Sequence, residues 1–299
     1  YILSWDMDIT DEFYMVDKDT IINAIWIPDT NTKYTVQYYG ENVAGDDYEL
    51  LDTKEYFGTT DSTVKAPFID VAGFTAPDSS YITIAADGSA SVRYNYTRNT
   101  YKVTYSSVGT SSTIIDEIRY GAAYSARENT FFSRTGYTFD SWASSDIPDL
   151  TAFTMPAKDV TITAQWNANS YTVRFNGNAA DIGNVSGTME DRVFTYNVAE
   201  ELSKNLYEIS GYEFNGWNTK ADGTGDSYND CGTVKNLTPE NMAVVELYAQ
   251  WSANTDTQYT VKHNKVMEVN DGEYVNVTLI REDTKYGVTG AQTNAVDGP

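Results

Sequence analysis

The sequence predicts an α+β fold, mainly β, arranged as an elongated tandem array of small modules. Three observations predict it. Gly136-Tyr137-Thr138-Phe139-Asp140-Ser141-Trp142, closing at Ala164-Gln165-Trp166, is nearly copied by Gly211-Tyr212-Glu213-Phe214-Asn215-Gly216-Trp217, closing at Ala249-Gln250-Trp251. A shorter copy runs from Tyr1 through Trp5 and the region around Met15 to Trp26, so all six tryptophans fall on two recurring positions. Matching strands open at Tyr34, Tyr101, Tyr171 and Tyr259, roughly 70 to 90 residues apart, which suits small autonomous domains and is too long for a solenoid turn.

The opening strands alternate. Tyr34, Val36 and Tyr38 face one way and Thr35 and Gln37 the other, and Tyr101, Val103, Tyr105 and Tyr171, Val173, Phe175 repeat this pattern. The closing strands match them, with Val160, Ile162, Ala164, Trp166 and Val245, Leu247, Ala249, Trp251 on one face. Such strands have one dry side. The tryptophans and the alternating tyrosines, Tyr94 and Tyr96 among them, therefore read as core wedges rather than ligand platforms.

Between the strands of the fullest unit the sequence predicts one helix. Asn197 is a suitable N-cap, Glu200 stands three residues on as in a capping box, and Val198, Leu202 and Leu206 recur every four residues. A helix on a small antiparallel sheet gives β-grasp-like modules. Pro67 and the run Gly58 to Thr63 exclude a helix from the module that opens at Tyr34. The expected boundaries are 1–29, 30–99, 100–168, 169–253 and 254–299, the first and last being partial units. The linkers, such as Thr97-Arg98-Asn99-Thr100 and Asn167-Ala168-Asn169-Ser170, are too short for free bending, which predicts a rod-like array.

The run from Gly211 to Gly225, with Asn236-Leu237-Thr238 and Leu247-Tyr248-Ala249-Gln250-Trp251, resembles the internalin B-type B-repeat, also called the Listeria-Bacteroides repeat, over about Ser170 to Ser252. A shorter variant with Met155-Pro156-Ala157-Lys158-Asp159-Val160 covers Thr100 to Asn167. The segment from Tyr34 to Asn99, with Tyr48-Glu49-Leu50-Leu51-Asp52-Thr53 and Ile84-Ala85-Ala86-Asp87-Gly88-Ser89, is similar to the mucin-binding-protein type of repeat, and Tyr259 onward begins another. These resemblances imply tandem β-grasp-like modules on the extracellular face of bacteria. There they act in multivalent adhesion to host or matrix glycoproteins, or as an inert stalk. They transfer no ligand-contacting residues.

The chemistry of the chain points away from catalysis. A net charge of −23 repels phosphate backbones and anionic lipids, so nucleic acid is an unsuitable partner, and no apolar run is long enough to insert in a membrane. A monomer that is not an enzyme and needs no cofactor is expected. His263 is the only histidine and occupies the strand position of Tyr38 and Tyr105; Cys231 is the only cysteine, in a turn, so no disulfide forms within the chain. The loop Asp222-Gly223-Thr224-Gly225-Asp226 and the pair Asp46 and Asp47 read as exposed turns with at most weak calcium binding, since EF-hand spacing is missing. Tyr39 and Tyr248, on the outward parity of their strands, are the candidates for ligand contact. An intramolecular isopeptide bond would need a buried lysine beside an Asn or Asp and a carboxylate.

Overall fold

The computed structural model describes residues 1–6, 19, 21–180, 182–270 and 273–293. Every regular element among them is a β-strand. The chain divides into two compact units, Tyr1–Thr130 with Ser141–Gln165, and Phe131–Asp140 with Trp166–Pro299.

The chain begins with a two-stranded ladder of β1 (Ile2–Trp5) and β2 (Ala24–Ile27). Of the copy expected around Met15 to Trp26, residues 15–18 and 20 lie outside the described residues. Trp5 and Trp26 are 42% and 60% exposed here, unlike the wedge expected of them.

The second module comprises β3 (Thr32–Glu41), β4 (Tyr48–Gly58), β5 (Thr63–Lys65), β6 (Phe74–Thr75), β7 (Tyr81–Thr83) and β8 (Ser91–Arg98). Its main sheet has the order β4-β3-β8-β6, with β3 and β8 parallel and the other pairs antiparallel. A small antiparallel pair, β5 with β7, is separate from it. The alternation predicted for the opening strand is what the sheet uses: Tyr34, Val36, Tyr38, Tyr94 and Tyr96 are buried on one face. Their hydroxyls still find partners, as buried tyrosines require. Tyr38 donates to the Pro67 carbonyl at 2.9 Å, and Tyr96 to that of Ile69 at 2.8 Å.

The third module repeats this order. Its strands are β9 (Thr100–Ser106), β10 (Ile114–Arg119), β11 (Ala123–Tyr124), β12 (Tyr137–Ala143), β13 (Phe153–Thr154) and β14 (Val160–Ala168), with the sheet β10-β9-β14-β12 and the small pair β11 with β13. Met155 of the Met-Pro-Ala-Lys-Asp-Val motif is fully buried, as are Val103, Tyr105 and Ile162.

The fourth module runs through β15 (Ser170–Asn176), β16 (Arg192–Thr195), β17 (Glu200–Glu201), β18 (Tyr212–Asn218), β19 (Ser227–Tyr228), β20 (Thr233–Val234) and β21 (Val244–Ala253). The sheet order is β16-β15-β21-β18-β19, again with a parallel central pair, β15 and β21. Its core centres on Trp217, fully buried against Phe175 at 4.8 Å and Phe214 at 5.0 Å between ring centroids. Trp142, Trp166 and Trp251 are half-buried.

The helix predicted from Asn197 does not form, and the α part of the α+β expectation is corrected: among the described residues the fold is all-β. Asn197 has φ of 66°, a left-handed turn conformation that no N-cap adopts. Glu200 and Glu201 enter β17, which pairs with β20. The Glu200 carboxylate accepts the Thr195 amide at 3.3 Å and pairs with Arg192 at 3.2 Å. The four-residue recurrence does not mark one face: Leu202 is 2% exposed, Val198 47% and Leu206 59%. A spacing sampled over two turns also fits an extended segment that dips into the core once.

The last described strands, β22 (Thr257–Asn270) and β23 (Glu273–Gly287), form a long antiparallel hairpin in register from Thr257↔Gly287.

Candidate functional site

The feature that recurs at every joint between modules is one hydrogen-bonding residue in the linker. Asn99 donates its backbone N–H to the Gly73 carbonyl at 2.9 Å, and its own carbonyl accepts the Tyr120 N–H at 2.9 Å. Asn169 does the same between Gly136, at 2.9 Å, and Tyr196, at 2.8 Å. Asn254 does so between Gly211, at 2.8 Å, and Thr289, at 2.9 Å. Asp29 makes the forward half, accepting the Thr60 N–H at 2.8 Å. The linker residue is thus tied backward to one module and forward to the next, and bending the joint breaks a backbone hydrogen bond worth about 0.5–1.5 kcal/mol net.

The residues around each clamp follow from its geometry. Gly73, Gly136 and Gly211 have φ of 82°, 77° and 81°, and a Cβ on Gly73 or Gly136 would lie 2.2 Å from the ring of Tyr120 or Tyr196. Only glycine fits there. The residue after each forward partner is also left-handed: Asp61, Gly121, Asn197 and Gly290. Asn197 is therefore the turn residue of a joint. Side chains fasten two joints further, with Thr75 Oγ1 donating to Asn99 Oδ1 at 2.6 Å and Thr138 Oγ1 to Asn169 Oδ1 at 2.7 Å.

The Asn99 joint carries the densest charge. Arg119 pairs with Glu41 at 2.5 Å, and Arg98 donates its backbone N–H to Glu41 Oε2, its Nε to the Glu41 carbonyl and its Nη1 to the Tyr120 carbonyl. These donors, Arg119 first, hold the Glu41 carboxyl below the usual carboxylate range. Arg98 also lies over the Phe74 ring at 4.7 Å, and Phe74 meets Tyr120 edge-on.

Of the two candidate ligand-contact tyrosines, Tyr39 stands half-buried in β3 beneath the guanidinium of Arg93, 3.8 Å from its ring centroid. Tyr248 in β21 donates to Glu246 Oε2 at 2.5 Å, and that bond pushes the phenol pKa up. The registers make them counterparts on different strands: Tyr39 pairs with Asn95 across β3 and β8, and Asn176 with Tyr248 across β15 and β21. The neighbouring station is Arg93 in one module and Glu246 in the other, a reversal of charge.

The remaining residues fall into local roles. Cys231 is exposed, with φ of 55°, in the turn Asp230-Cys231-Gly232. His263 lies on β22, 3.1 Å from Asp283, which also takes Arg281 at 2.7 Å. In the Asp222 loop the carboxylate accepts Thr224 N and Oγ1 at 3.0 and 2.8 Å. The amide nitrogen of buried Asn218 reaches the carbonyls of Gly223 and Gly225, both at 3.1 Å, so an amide fills the inside of the loop. Asp46 is held by Asn42 Nδ2 at 2.9 Å. Every described lysine is exposed, so these residues lack the buried amine that an isopeptide bond needs. Among the described residues no helix is long and apolar enough to cross a membrane.

Residues 123–170 match the divergent InlB B-repeat domain and residues 171–250 the Listeria-Bacteroides repeat domain. A protein of Evansella cellulosilytica provisionally named a Gly-rich membrane protein is 34% identical over 132 residues, covering 41% of this chain and 15% of that protein. A second, provisionally named a membrane protein of the same organism, is 25% identical over 220 residues, covering 67% of this chain and 32% of its own length. The chain thus spans less than a third of the length of these relatives. Among solved structures, the Bacillus anthracis TIE protein aligns with a TM-score of 0.34 and 9% identity, over 75% of this chain and 51% of that one. Residues 123–250 carry tandem repeats of the InlB B-repeat kind.

Proposed function

We propose that this chain is an extracellular repeat segment of a bacterial surface protein, and that its work is mechanical: modules joined by clamped linkers hold some other part of the protein away from the cell. The observation that carries this reading is the asparagine clamp, repeated at Asn99, Asn169 and Asn254 with the same two backbone bonds. A linker used only as a tether needs no such repetition. The matched B-repeat domains and the names of the Evansella relatives support a surface location. In this reading the modules are β-grasp-like, with the pairs β5/β7, β11/β13 and β17/β20 standing where that fold has its helix. The 30–99 segment and the chain from Tyr259 are of the mucin-binding-protein type. The segment is monomeric, needs no cofactor and catalyses nothing.

Solution scattering on the whole chain tests it. An extended particle whose dimensions are insensitive to salt supports clamped joints; a compact sphere contradicts them. Adhesion to a host or matrix glycoprotein is the second reading, favoured by the Tyr39 and Arg93 stack on the outer sheet face of the second module. Immobilised chain that captures mucin-type glycoprotein saturably supports adhesion, and a chain that ignores all glycoproteins is a spacer alone.

A further inference from the structure

We infer that the outer face of the β4-β3-β8 sheet carries a binding site for the carboxylate of an acidic sugar, with Arg93 as its anchor. Arg93 is exposed, yet it is not a loose surface side chain. Its guanidinium lies 3.8 Å from the Tyr39 ring centroid and 5.9 Å from that of Tyr48, and its Nε donates to Asn95 Oδ1 at 2.7 Å. Stacking and the Nε bond fix the plane of the group. Its two Nη atoms are left for a planar acceptor, and a carboxylate takes both.

What makes this arrangement informative is the charge around it. The chain has 43 acidic against 20 basic residues, so a carboxylate partner would be easy to supply from within. Lys33, Arg119, Arg127, Lys158, Arg174 and Arg192 all have one. Among the described residues Arg93 has none, and neither have Arg134, Lys65, Lys102, Lys204, Lys220 and Lys235; Arg93 differs from these in combining two tyrosine rings with the Nε bond to Asn95. Its register neighbours on the sheet are neutral and polar: Gln37 is its Cα partner on β3, and Thr53 is the partner of Gln37 on β4. The corresponding station of the fourth module holds Glu246, engaged by Tyr248, so the cationic version belongs to the second module.

The same neighbours select a sugar over a peptide. An aromatic face beside amide and hydroxyl side chains matches the C–H face and hydroxyls of a pyranose. The inference deepens the adhesive reading and rests on it for its biological purpose.

The test uses the full chain with isotope-labelled arginine, the Arg93 side-chain resonance being identified by its loss in Arg93→Lys. Glucuronate, glucose and N-acetylglycine are titrated at constant ionic strength. The expected result is a saturable shift of Arg93 alone with glucuronate, none with glucose, and about fivefold weaker binding of N-acetylglycine. Tyr39→Ala should weaken glucuronate about threefold, and Tyr48→Ala serves if that variant does not fold. A shift of all exposed arginines without saturation, or none at Arg93, overturns the site. Equal binding of N-acetylglycine overturns the sugar. Glycoprotein capture that persists in Arg93→Lys would leave adhesion standing without this site.

Discussion

Asn169 donates its backbone N–H to the carbonyl of Gly136 at 2.9 Å, and that bond exists because Gly136 turns left-handed at φ of 77° under the ring of Tyr196. A methyl group there meets the ring at 2.2 Å and forces an unfavourable backbone as well. Gly136→Ala should therefore destabilise by about 1–3 kcal/mol. Chemical denaturation measures this, and a loss no larger than that of an exposed-loop Gly109→Ala would contradict the clamp.

Trp217 holds the fourth module together but leaves its own Nε1 without a hydrogen-bond partner among the described residues, whereas Trp142 donates to the Arg127 carbonyl at 2.7 Å. Trp217→Ala should cost about 3–5 kcal/mol. Trp217→Phe should cost distinctly less, since it also removes an unpaired buried donor. Thermal unfolding of the two variants checks the order, and equal losses would show that the indole nitrogen has a partner in solution.

The Asp222 loop depends on Asn218 more than on its own acids. The Asn218 side chain bonds to Lys220 N, Gly223 O, Gly225 N and O, and Ser227 Oγ. Asn218→Ala should cost about 1–3 kcal/mol and speed hydrogen exchange from Thr219 to Asp226. Asp222→Ala removes two exposed turn bonds, both from Thr224, and should cost about 0.5 kcal/mol. Mass-spectrometric exchange on the two variants separates them.

Stability should fall at both ends of the pH range for identified reasons. Burial works to raise the Asp116 carboxyl, but hydrogen bonds from Arg127 and Tyr124 outweigh it and leave the pKa depressed. A depressed acid contributes stability above its unfolded pKa and loses it as the pH drops through the folded one. Asp116→Asn should flatten the acid limb below about pH 4. Tyr124 and Tyr38 are raised, by burial first and then by their bonds to Asp116 and Tyr56. Their contribution is complete below the ordinary phenol pKa of about 10 and is lost as the pH rises through the folded value. Tyr124→Phe should therefore soften the alkaline limb, as urea unfolding across pH would show.

Much of the sheet was legible because period-two burial is written directly into a strand: Tyr34, Val36 and Tyr38 are buried, and so are Val160, Ile162 and Ala164. The helix was not, because Asn197 and Glu200 satisfy capping rules that depend only on residue type, while the joint requires Asn197 for its left-handed φ. The clamps were hidden for another reason. Their bonds are backbone to backbone between segments about 20 to 45 residues apart, and only the paired glycines and linker asparagines leave a trace. Tyr39 was legible as outward-facing, but its partner Arg93 comes from a strand more than 50 residues on, brought beside it by the parallel pairing.

Hydrogen exchange at single-amide resolution tests the central claim most directly. The N–H groups of Asn99, Tyr120, Asn169, Tyr196, Asn254 and Thr289 should exchange slowly and in step with the strands they connect. Exchange of these amides as fast as that of the exposed turn at Gly109 would show that the linkers are free and that the joints are not clamped.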